Sequence, residues 1–210
     1  QQDQLFKQLD DIKSKKAKKA SLESIYKNHS HFYAGVKAVL QEKSLTGIIG
    51  AVSEHISFSP RYQTALEIAL GASSQHIIVE DENAAKQAIA FLKQNRRGRA
   101  TFLPLTTISS RQLASHQLET LETSQGFLGI ASQLVSYEPK LSHIMSNLLG
   151  LTAIFDSIEH ANQAAKRLSY RVRIVTLDGT EIRAGGSFSG GANRGNNTTF
   201  IKQELDQVEK

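Results

Sequence analysis

The sequence predicts a mixed α+β protein, two similar lobes forming one globule, with a helix leading in and another leading out. Three observations carry that prediction. A 25-residue segment occurs twice without a gap, short apolar runs alternate with amphipathic helical patterns, and apolar residues at 4-3 spacing occupy both chain ends.

Residues 1 to about 28 contain neither Gly nor Pro and read as one helix. Leu5, Leu9 and Ile12 follow a coiled-coil seam, Lys16 and Lys19 then fall on its positions, and Leu22 and Ile25 resume it one residue out of register. At the other end Phe200 to Lys210 reads as helix, with Ile201, Leu205 and Val208 spaced 4 and 3. Two such helices leaving one globule side by side pair antiparallel, and Leu205 should lie near Leu22.

Between them stands the duplication. Residues 47–71 align with 126–150 at an offset of 79, and seven of the 25 positions are identical. Ser59 and Pro60 read as N-cap and first helical position, and Gly71 as the stop. Tyr62, Ala65, Leu66, Ala69 and Leu70 form one apolar face, matched by Leu141, Ile144, Met145, Leu148 and Leu149. Ile77–Val79 and Ala153–Phe155 then read as buried strands, and Asp81 and Ser157 as caps of the helices that follow. Ala100–Leu103 and Ile174–Leu177 read as each lobe's next strand, and a polar stretch at about 106–125 joins the lobes. The expected divisions are an entering helix at 1–30, lobes at 31–112 and 113–197, and a leaving helix at 198–210.

Composition narrows the functional classes. An apolar share of 40% and a charged share of 21% are ordinary for a water-soluble globule. The absence of cysteine excludes disulfides and thiol chemistry. With no signal peptide and no apolar run of spanning length, a cytoplasmic protein that meets no membrane is expected. The start at Gln1-Gln2-Asp3 reads as a cut from a longer protein. Seven histidines are scattered without ligand spacing, so no metal or other cofactor is expected.

The segment Gly185-Gly-Ser-Phe-Ser-Gly-Gly191 follows a strand and a turn. Glycine pairs belong where φ is positive or another backbone or ligand comes close. Gly186 and Gly191 have the spacing of a phosphate loop's glycines, yet Ala192-Asn193 stand where Lys-Ser/Thr is required. A flexible surface loop, a backbone-to-backbone protein contact and a nucleotide site are the three readings. The charges point elsewhere. No acidic residue lies between Glu82 and Glu119 or between Glu159 and Asp178, while Arg96, Arg97, Arg99, Arg171 and Arg173 fall there. With Lys13 to Lys19 they make basic patches without catalytic partners, suited to the phosphates of a nucleic acid.

These runs together resemble the hinge domain of bacterial structural maintenance of chromosomes (SMC) proteins. The resemblance rests on Thr46-Gly-Ile-Ile-Gly-Ala-Val52, Ala69-Leu-Gly-Ala72, His76-Ile-Ile-Val-Glu-Asp81, Gly98-Arg-Ala-Thr-Phe-Leu-Pro-Leu105, Gly126-Phe-Leu-Gly-Ile-Ala131, Arg173-Ile-Val-Thr-Leu-Asp-Gly179 and the Gly-rich segment. The family usually has Met-Thr at Phe188-Ser189, and His55 also departs from its pattern. The resemblance implies a doughnut-shaped homodimer at the tip of an antiparallel coiled coil. It places Gly185, Gly186, Ser187, Phe188, Gly190 and Gly191 at the subunit contact. It also implies non-specific contact with DNA, single strands included, which the basic patches assign to Lys15, Lys16, Lys18, Lys19, Arg96, Arg97, Arg99, Arg171 and Arg173. The family's ATPase heads come from distant terminal segments, so this stretch is expected to catalyse nothing. Its parent would be a nucleoid-associated chromosome-segregation ATPase whose condensin-type accessory subunits bind elsewhere. A free-standing basic nucleic-acid-binding protein and a nucleotide-dependent enzyme are the competing readings.

Overall fold

The computed structural model describes residues 1–29, 31–192 and 199–209, with backbone alone at 202 and 207–209. Val208's side chain, Asn193 and the divisions drawn at 30 and at 197/198 lie outside the described residues.

A single helix, α1 (Gln2–Asn28), enters the globule, and α8 (Ile201–Glu209) leaves beside it. Leu22, Ile201 and Leu205 form one buried cluster with Ile25 and Tyr26 against it. The expected neighbourhood of Leu22 and Leu205 is therefore present. At 1.5 Å per residue the two helices differ about threefold in length, so the outer half of α1 runs past α8. Leu5, Phe6, Leu9 and Ile12 are consequently exposed, and the seam expected there is uncovered within this chain. A Leu22→Cys/Leu205→Cys variant, tested with neighbours one turn either way, should cross-link within one chain under mild oxidation. No intrachain cross-link in that set would rule the pairing out.

Lobe I contains α2 (Ala34–Gln41), β1 (Ile48–Ala51), α3 (Gln63–Leu70), β2 (Ile77–Val79), α4 (Glu82–Asn95) and β3 (Phe102–Pro104). Lobe II repeats the series as α5 (Ser115–Glu122), β4 (Phe127–Ile130), α6 (Ser142–Leu149), β5 (Thr152–Phe155), α7 (Ile158–Arg167) and β6 (Arg173–Thr176), then adds β7 (Glu181–Ile182) and β8 (Phe188–Ser189). Each lobe pairs its first two strands antiparallel and its second and third parallel, with a register shift at Gly50 and at Gly129. Those glycines have φ of 145° and 149°, so the backbones match as closely as the sequences. Asp81 and Ser157 act as the expected caps, accepting from the Ala84 N–H at 2.9 Å and the His160 N–H at 3.4 Å. Ser59 uses its carbonyl instead, accepting from the Tyr62 N–H in a 3₁₀ turn that precedes α3.

The stretch at 106–125 is not merely a linker. Its second half is α5, whose Leu121 is fully buried in the core of lobe II. Nor do the lobes stand apart. The largest apolar cluster takes equivalent residues from both: Val52 with Ala131, Ile56 with Val135, Leu66 with Met145, Leu70 with Leu149. The apolar faces of α3 and α6 thus cover one another, which removes them from water more completely than either lobe could alone. Ser57 and Ser136, equivalent under the offset, bond to each other antiparallel, at 2.9 and 2.7 Å. A reciprocal pair of identical residues lies on a two-fold axis, so the duplication is a pseudo-dyad in space.

Candidate dimer interface and basic surface

The Gly-rich segment folds as the hairpin that closes the five-stranded sheet, in the order β4-β5-β6-β7-β8. The Gly186 N–H donates to Arg183 O at 2.9 Å, and Gly185 has a φ of +102°. A type II turn requires that sign at its third residue. Gly186, at φ +99°, then redirects the chain into β8. The Gly185 N–H also donates to Tyr170 O at 2.7 Å, which ties the turn to the α7–β6 connection.

β8 is an edge. The Arg183 N–H donates to Ser187 O at 2.8 Å, and Glu181 stands opposite Ser189 with Ile182 opposite Phe188. Antiparallel ladders alternate bonded and non-bonded pairs, so Phe188 directs its N–H and C=O away from β7. The Phe188 side chain is 52% exposed. A Cβ on Gly185 or Gly191 would meet nothing within 4 Å, so the bareness of the strand there is not demanded by packing within the chain. Where the phosphate-loop reading needs a wrapping loop, Phe188-Ser189 is extended and paired.

Behind the hairpin, Asp178 sits in the β6–β7 turn. Hydrogen bonds from the Thr176 hydroxyl and the Thr180 N–H hold its carboxyl below the usual carboxylate range. Arg173 opens β6, and the structure gives it a role other than DNA contact. Its Nε donates to Glu181 Oε1 at 2.7 Å, Nη1 to Ala69 O at 2.7 Å and Nη2 to Ile68 O at 2.9 Å. The guanidinium is turned inward on the last carbonyls of α3, so three of its five N–H donors are engaged within the subunit. Arg173 clips lobe I to the strand beside the hairpin, a structural role that the other described basic residues do not share. Composition could not reveal this, because an inward and an outward arginine read alike.

The other basic residues are distributed. Arg96, Arg97 and Arg99 are exposed on the α4–β3 connection, Arg96 in left-handed conformation as the cap of α4. Arg171 is exposed on the equivalent connection of lobe II. Lys15, Lys16 and Lys18 are exposed along α1, roughly 15–20 Å out from the globule at 1.5 Å per residue. Lys19 stands 3.8 Å from Glu23. Among the described residues no three His, Asp or Glu side chains stand together as a metal site, and no helix is long and apolar enough to cross a membrane.

These features define a class: a duplicated α+β module, built around a pseudo-dyad, carried on two antiparallel helices and ending in a bare sheet edge. The chain belongs to the flexible hinge domain family of SMC proteins, whose model matches residues 45–165. It is 46% identical over 202 residues to the chromosome partition protein Smc of Bacillus subtilis (strain 168), a match over 95% of this chain and 17% of the relative. The counterpart from Lactiplantibacillus plantarum is 39% identical over 194 residues, 92% of this chain and 16% of the relative. The chain thus spans about a sixth of these relatives' length. Among solved structures, an asymmetric dimer of the Geobacillus stearothermophilus SMC hinge domain superposes with a TM-score of 0.83 at 40% identity, over 99% of this chain and 84% of that one. The Pyrococcus furiosus SMC hinge domain superposes with a TM-score of 0.64 at 27% identity, over 88% and 93%.

Proposed function

We propose that this chain is the homodimerisation and DNA-contact module of a chromosome-organising ATPase, and that its Gly-rich hairpin, Gly185 to Gly191, forms the subunit contact. The observation that carries the first half is a pair of open sheet edges. One is β8. Another is β3, which ends the sheet β1-β2-β3 on the side opposite β1. The Ile77 N–H donates to Thr101 O and the Leu105 N–H to Val79 O, so by the alternation of a parallel ladder Phe102 turns its N–H and C=O outward. In lobe II the same side of β6 is covered by β7; in lobe I no strand among the described residues pairs with that side of β3. Two unpaired edges on one subunit invite pairing with a second copy. Seating the β8 of each subunit on the β3 of the other closes a two-fold ring, each subunit using both lobes. Sedimentation equilibrium of the chain tests this; a monomer at tens of micromolar would overturn it.

DNA contact rests on the exposed Arg96, Arg97 and Arg99 with Arg171 and the α1 lysines; among the described residues only Lys19 of these stands beside a carboxylate, that of Glu23. Such contacts read phosphates, not bases, so binding should be weak, non-specific and salt-dependent. Arg96→Glu/Arg97→Glu should weaken binding to all sequences alike at low salt, and unchanged anisotropy of a labelled oligonucleotide would remove that patch from the site. A strong sequence preference would count against phosphate contact altogether.

A further inference from the structure

We infer that lobe II carries a preformed phosphate-binding pocket between α5 and the end of α7. The inference rests on the DNA-contact reading and names where one backbone phosphate sits. The pocket is a cavity of about 350 Å³ lined by His116, Gln117, Thr120, Arg167, Ser169 and Arg171 beside Leu168, with no carboxylate in its wall.

Arg167 is fixed without an acid. Its Nη1 donates to Ser124 Oγ at 2.9 Å and its Nη2 to Thr123 Oγ1 at 3.0 Å. Those hydroxyls donate onward to backbone carbonyls, Ser124 to Thr120 O at 2.6 Å and Thr123 to Thr120 O at 3.1 Å. The chain of donors is oriented throughout, so the guanidinium is held in place while its charge stays uncompensated. Among the described residues no carboxylate lies within ion-pair distance of it. A fixed guanidinium that keeps its charge is pre-organised for an anion.

Arg171 reaches the same pocket through a strained turn. Ser169 and Tyr170 follow α7 with φ of +54° and +55°, a conformation rare outside glycine. Consecutive residues of that kind persist only where the surroundings impose them, and such strain concentrates at functional sites. Here it returns the chain so that Arg171 lines the cavity beside Arg167.

The duplication supplies an internal comparison. The register of β3 on β2 and of β6 on β5 makes Arg99 the equivalent of Arg171. In lobe I that corner is shut, since a Cβ on Gly35 of α2 would lie 2.2 Å from Arg99 O. Close approach of two backbones fills the space at that corner of lobe I.

The test uses the whole chain with labelled single-stranded and duplex oligonucleotides of one length, and with inorganic phosphate. Gln117→Glu places a carboxylate in the wall while keeping the side-chain acceptor that bonds the Ala114 N–H at 3.1 Å. Its fold should be intact, yet its DNA affinity at low salt should fall several-fold. Arg171→Ala should lower the slope of log K against log salt by about 0.9 on duplex or about 0.7 on single strands. If the Arg96→Glu/Arg97→Glu variant loses affinity while Gln117→Glu and Arg171→Ala match the parent in affinity and slope, the pocket is wrong and DNA contact stands. If the parent chain binds neither oligonucleotide, the underlying reading fails. Saturable binding of inorganic phosphate that Gln117→Glu abolishes, without any effect on oligonucleotides, would make this a free-anion site and overturn the nucleic-acid assignment.

Discussion

A Phe188→Pro chain should sediment as a folded monomer at low micromolar concentration, where the parent chain should be a dimer. Within the subunit the substitution is mild. Phe188 stands opposite Ile182 in a pair that exchanges no hydrogen bonds, and proline is tolerated on edge strands whose N–H faces out. Across the proposed contact it removes the donor and puts a ring against the partner's backbone. A stranded acceptor costs about 1–3 kcal/mol, and a two-fold ring contains the contact twice. The sum of about 2–6 kcal/mol raises the dimer dissociation constant by roughly one and a half to four orders of magnitude. Circular dichroism and melting on the same sample separate loss of dimer from loss of fold. A Phe188→Pro chain that is folded and still dimeric places the interface elsewhere.

The glycines of the hairpin are a less selective probe. The bare backbone suggests replacing Gly185, Gly186, Gly190 and Gly191 together with alanine and expecting only the dimer to suffer. The structure adds a second cost: φ is +102° at Gly185, +99° at Gly186 and +139° at Gly191, each a conformation alanine resists. The quadruple variant strains its own hairpin, at about 1–3 kcal/mol per position, before any partner arrives. Its monomer would be expected to keep the globule and lose the ordered edge.

What was legible in the sequence follows from the range of each signal. Caps and apolar runs are local, so Asp81, Ser157, β2 and the core of β5 stand where the residues place them. The apolar faces of α3 and α6 are equally plain; that each covers the other is not, because periodicity shows which side is buried and not against what. α2 and α5 are two turns each, short for a periodic pattern, and α5 carries His116, Gln117 and Glu119 among its apolar residues. β7 and β8 are two residues each, too short to alternate, so the Gly-rich segment could be read as a loop or as a contact but not as a hairpin. Arg173 marks the limit most clearly: Arg171, two residues earlier, is basic and exposed, while Arg173 reaches carbonyls of α3, more than a hundred residues earlier.

Arg173→Met should therefore cost the fold much more than it costs DNA binding. The substitution keeps most of the aliphatic length and deletes the guanidinium. Glu181 is left 8% exposed, with Arg183 Nε at 3.6 Å as its remaining cation, and the Ile68 and Ala69 carbonyls lose their donors. Removing one partner of a buried pair costs about 3–5 kcal/mol. Arg173 is itself only partly buried and Arg183 offers some compensation, so about 3 kcal/mol is expected. In a domain of this size each kcal/mol lowers Tm by about 2–4 °C, which gives a fall of about 6–12 °C. Arg173→Met/Glu181→Leu should recover part of that loss, because no buried charge is then stranded. If Arg173 served DNA instead, the single variant would melt near the parent temperature and lose one phosphate's worth of salt dependence. A melting temperature within about 2 °C of the parent would remove the clip between α3 and β7.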